Sequence, residues 1–74
     1  MNAEIIWKEC LLRGTETIEH AVSILERTSL RIILVVDENQ VLLGTVTDGD
    51  IRRGLIRHLS MQTQITEIMN NSPL

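Results

Sequence analysis

Leu43-Gly44-Thr45-Val46-Thr47-Asp48-Gly49-Asp50-Ile51-Arg52-Arg53 is the stretch that decides how this chain is read. It begins as a buried strand and turns sharply into a helix, with Thr47 and Asp50 three residues apart at the junction. The leading N–H groups of a helix have no partner inside it, and the aligned peptide dipoles add partial positive charge there. Such an end attracts phosphate. A hydroxyl and a carboxylate beside it are suited to gripping a ribose. The same spacing also fits a capping box, in which each side chain bonds the other's backbone N–H and no ligand is needed. Both readings stand on the residues alone.

Outward from the junction, Val41 to Val46 reads as one strand and Leu30 to Val36 as another, continuous and β-branched as a strand buried on both faces should be. Asp37-Glu38-Asn39-Gln40 between them is turn-like, and Asn39 tolerates the left-handed conformation such turns need. The pair should form an antiparallel hairpin. Thr17 offers an N-cap, and Ile18, Ala21, Val22 and Leu25 follow at helical spacing, which predicts an amphipathic helix to about Thr28. A second helix is expected from Asp48 to about Leu59, with Ile51, Leu55 and Leu59 inward and Arg53 and Arg57 outward. Gly54 inside it costs about 1 kcal/mol relative to Ala, which suggests either the close approach of a neighbour or ligand or a surface accident. Residues 1–14 read as an arm whose Trp7 packs on the domain, 15–59 as the folded unit, and 60–74 as a link toward a further strand. The expected class is α+β: helix–strand–strand–helix, a small sheet with helices packed on one face.

Bulk properties narrow the function. Seventy-four residues make one small domain that buries only about 60% of its unfolded surface, so a staple or a partner is needed for comfortable stability. Cys10 is the only cysteine and fits a reducing compartment. A net charge of −3 argues against nucleic acid, and Trp7 as the sole aromatic residue leaves no stacking platform. The apolar runs are too short to cross a membrane, and the N-terminus lacks the basic start of a signal peptide. A cytoplasmic location follows by elimination.

Thr17-Ile18 opening a helix, Val35-Val36-Asp37 closing a strand, and Gly44-Thr45-Val46-Thr47 followed by Asp50-Ile51 together resemble a CBS domain in single repeat. Ile65 to Leu74 is similar to the linker toward a second CBS repeat. Trp7-Lys8, Val35 to Asn39 and Thr47 to Leu55 further resemble the CBS region preceding a sugar-phosphate nucleotidyltransferase domain, whose catalytic part and glycine-rich loop are not in this sequence. The resemblance implies a regulatory module that binds an adenosine-type ligand of the AMP or ATP kind between paired repeats. It places phosphate on Thr47, ribose on Asp50, and the base near Leu30, Arg31 and Ile32. It also implies a homodimer or a second CBS repeat as partner.

Plainer readings stand beside these. Asp48 and Asp50 are a potential metal pair, but no third acidic residue is near, and both suit the first turn of a helix, so no metal site is assigned. Arg52 is the expected phosphate partner because it follows Asp50 closely, while Arg53 and Arg57, one turn apart, read as a solvated face. His20 reads as a surface residue and His58 as a helix-end residue compatible with the dipole. No nucleophile–base pair or acid–base dyad can be assembled, so the chain is not read as an enzyme. The alternative function is a structural dimerisation module that uses no ligand.

Overall fold

The computed structural model describes residues 9–28 and 31–71. Three strands and two helices succeed one another: β1 (Leu11–Arg13), α1 (Ile18–Thr28), β2 (Ile32–Val36), β3 (Leu42–Thr47) and α2 (Asp48–Ile56), followed by a 3-10 turn at Ile65–Glu67. The sheet order is β1-β2-β3. β2 and β3 form the expected antiparallel hairpin, with Ile33 opposite Val46 and Leu34 opposite Thr45. Residues 11–13 fall in the expected N-terminal arm. As β1 they run parallel to β2 instead, with Leu11, Leu12 and Arg13 beside Leu34, Val35 and Val36. The expectation for Trp7 lies outside the described residues.

Strand side chains alternate between faces. Leu12, Ile33, Val35 and Val46 share the face that meets Ile18, Ala21 and Ile24 of α1 and Ile51 of α2, and these residues make one core with Ile65. Both helices therefore cover the same side of the sheet. The strand expected to be buried on both faces is not: Ile32 is 40% exposed, whereas Ile33 and Val35 are sealed. In α1 the inward stripe includes Ile24, while Val22 and Leu25 sit at its half-buried margin. Thr17 caps this helix as the sequence predicts, its Oγ1 accepting from the His20 N–H.

Three local expectations change. The left-handed residue of the hairpin turn is Gln40, at φ 65°, not Asn39. Asp37 organises that turn by accepting the Asn39 and Val41 N–H groups on Oδ1 at 2.8 and 3.0 Å, which leaves the strain one residue later. The second helix ends at Ile56, because His58 turns to φ 66° and breaks the helical path. Within the helix Leu55 points outward, 44% exposed, and Gly54 takes the inward place beside Ile51. A Cβ on Gly54 would come within 2.9 Å of Ile68 Cγ2, so the glycine serves the close approach of a neighbour.

The segment after α2 is woven into the domain. The Ile18 and Glu19 N–H groups at the start of α1 donate to the Thr63 and Met61 carbonyls, and the Ile65 N–H donates to the Glu16 carbonyl at 2.7 Å. Helix-start donors that lack intrahelical partners are thereby satisfied. Ile65 is completely buried, and Asn70 pairs with Thr45 through two main-chain hydrogen bonds of 3.0 and 2.8 Å.

Candidate functional site

Strand β3 ends and α2 begins at Thr47, which lies opposite Ile32 in the hairpin register. Thr47 is the extended N-cap residue, and the full capping box forms. The Thr47 N–H and hydroxyl both donate to Asp50 Oδ2, at 2.9 and 3.0 Å, and the Asp50 N–H donates to Thr47 Oγ1 at 3.3 Å. Thus the ligand-free reading of the spacing is realised. Asp48 and Gly49 occupy the first two helical positions, whose N–H groups have no intrahelical partner.

The other carboxylate oxygen of Asp50, Oδ1, accepts from an Arg53 guanidinium nitrogen. Asp50 is well covered, its side chain 12% exposed, while the Arg53 side chain is 69% exposed. A second guanidinium nitrogen lies 3.5 Å from where a Cβ on Gly49 would stand, so the arginine reaches back over the first turn. The expected solvated position of Arg53 agrees with this exposure, and its three-residue spacing from Asp50 sets the two side chains on one helix face.

Of the other expected ligand contacts, the hairpin brings Ile32 beside Thr47, and exposed Arg31 immediately precedes it. Leu30 lies outside the described residues. Arg52 is exposed and makes no ion pair among the described residues. Also among these residues, no group of three His, Cys, Asp or Glu side chains is placed to hold a metal ion, and no helix is long and apolar enough to cross a membrane.

A three-stranded sheet, two helices on one face, and a Thr–x–x–Asp junction together define a small α+β fold class. The family model for the CBS domain matches residues 3–57, and the chain belongs to that family. A CBS domain by itself is a regulatory unit rather than a catalytic one, and such domains typically pair and bind nucleotides. Arabinose 5-phosphate isomerase GutQ of Salmonella typhi is 42% identical over 45 residues, 61% of this chain and 14% of that protein. The match therefore spans a small part of this curated relative's length. Among solved structures, a putative acetoin utilization protein (AcuB) from Vibrio cholerae aligns with TM-score 0.79 and 28% identity, over 84% of this chain and 47% of that one. The CBS domain pair of protein MJ0100, in complex with 5'-methylthioadenosine and S-adenosyl-L-methionine, aligns with TM-score 0.75 and 27% identity, over 84% and 50% of the two chains.

Proposed function

We propose that this chain is one half of a nucleotide-sensing regulatory module, with Thr47 on phosphate and Asp50 on the ribose of an adenosine-type ligand. The observation that carries the reading is the side-by-side placement of Thr47 and covered Asp50 at a helix start, next to Ile32. The adenosine compounds bound by the related MJ0100 pair support the ligand class. Ile32 and Arg31 flank the base, and Arg52 is a further phosphate contact. The partner is a second copy or a second CBS repeat, and the module acts in the cytoplasm. Ligand binding regulates an attached enzyme by favouring one packing of the paired units over another, in proportion to its differential contacts with the two.

For the identity of that enzyme, the resemblance in the sequence points to a sugar nucleotidyltransferase. The curated relatives give that neighbour no support, for they are named as isomerases of arabinose 5-phosphate. A sugar-phosphate enzyme is common to both readings.

Calorimetric titration with AMP, ATP, GTP and CMP tests the site, with oligomeric state followed alongside. Asp50→Ala removes half of the capping box and costs about 1 kcal/mol of stability as well as any ribose contact. Asp50→Asn is the cleaner variant, because its amide oxygen still accepts from Thr47 while the charge is gone. Saturable binding that Asp50→Asn weakens without lowering the melting temperature supports the reading. Binding indifferent to both substitutions refutes it. A dimer that ignores every nucleotide favours the structural alternative, for which the exposure of Leu55 (44%) and Ile56 (68%) on α2 is the supporting observation.

A further inference from the structure

We infer that Arg53 is the ligand-selecting residue of this site, shielding Asp50 when the site is empty and moving to phosphate when a nucleoside monophosphate enters; the inference rests on the nucleotide reading above. Asp50 has few ways to accept a ribose. Its Oδ2 already takes two hydrogen bonds from Thr47, and its Oδ1 is covered by the Arg53 guanidinium. With the guanidinium in place only one acceptor site of Oδ1 is left, so a ribose hydroxyl that donates there competes with it for the covered carboxylate. Displacement of the guanidinium is cheap because Arg53 is 69% exposed, and ion pairs at such positions contribute little.

What decides the preference is where the guanidinium goes. The distance from the Gly49 position shows that it already extends over the first turn of α2. Phosphate at Thr47 and the leading N–H groups would sit on that same first turn. There a planar fork can make paired hydrogen bonds to phosphate oxygens. A neutral nucleoside offers no such destination, so it displaces the ion pair without replacing it. The site therefore favours the phosphorylated ligand by the guanidinium–phosphate contact that replaces the lost ion pair.

Titration of AMP and adenosine into wild type and Arg53→Met tests this, with affinities read from amide NMR shifts so that millimolar binding is measurable. Arg57→Met removes the same charge one turn further along and serves as the control. In Arg53→Met, adenosine should bind up to about fivefold tighter, since an exposed ion pair is worth at most about that factor. AMP should bind several-fold weaker, so the preference for AMP should fall by roughly tenfold or more, the scale of a charged hydrogen bond. Arg57→Met should keep the wild-type ratio. Equal changes in both affinities, or none, would overturn the role of Arg53 while leaving the nucleotide site standing. Wild type that binds neither ligand would overturn the site and this role with it.

Discussion

Gly44→Ala is the substitution whose consequence the structure fixes most sharply. Gly44 does not have a positive φ, so alanine can adopt its backbone conformation. In an open strand the change would gain a few tenths of a kcal/mol by restricting the unfolded chain. Here the new Cβ would stand 2.6 Å from the Asn70 carbonyl oxygen, 3.2 Å from its carbon and 3.0 Å from Met69 Sδ. Backbone cannot swing away as a side-chain tip can, so the 69–70 segment must lift from β3. Lifting breaks both hydrogen bonds between Thr45 and Asn70. At about 0.5–1.5 kcal/mol each, their loss costs about 2 kcal/mol. In a domain of this size that lowers Tm by roughly 8–16 °C. Thermal denaturation followed by circular dichroism measures the shift, and hydrogen exchange at the Thr45 and Asn70 amides locates it. Gly49→Ala is the internal comparison: its Cβ would meet the Arg53 guanidinium at 3.5 Å and Thr47 Oγ1 at 3.7 Å, both ordinary contacts, so this variant should melt at or slightly above wild type. The reasoning is refuted if Gly44→Ala melts within 2 °C (about 0.5 kcal/mol) of wild type with both amides still protected.

Two further outcomes probe the parts of the chain that lie outside the helix–hairpin–helix. Ile65→Ala should cost about 2–5 kcal/mol in urea denaturation, because Ile65 is sealed in the core; a connector lying on the surface would lose almost nothing. Burial pushes the Cys10 thiol above its ordinary range, outweighing hydrogen bonds that act the other way. A raised folded-state value favours the protonated form, so this contribution to stability is complete below the unfolded-state value and is lost as pH rises through the folded one. Native protein at pH 8 should therefore be alkylated at Cys10 many-fold more slowly than the urea-unfolded chain, and equal rates would contradict the burial.

The elements legible in the sequence are those held by near neighbours. The Thr17 cap acts three residues away on the His20 N–H, and the Thr47–Asp50 box closes over the same distance, so each helix start is written in adjacent letters. The hairpin follows from two apolar runs joined by a short polar turn. The helix end was less legible, because an amphipathic stripe continues past Ile56 in sequence while His58 turns the backbone out of the helix. The pairing of Asp50 with Arg53 was not legible from closeness in sequence, by which Arg52 is the nearer arginine. Three residues bring side chains onto one face and two do not.

By itself the sequence determined the class of fold, the strand-to-helix junction and the residues that meet there, since these depend on local hydrogen bonding and on the periods of helix and strand. Only the tertiary structure decided that Leu11–Arg13 is a strand and that residues 60–71 close the domain. β1 is three residues long and carries no pattern of its own; it exists because Leu34 to Val36 present an unpaired edge to it. Ile65 looks like any apolar residue in a polar tail until the core formed by distant helices and strands leaves a space of its shape. The glycines tell the same story: Gly44 and Gly54 are required by residues fourteen or more positions away, Asn70 and Ile68, whose approach only the folded chain reveals.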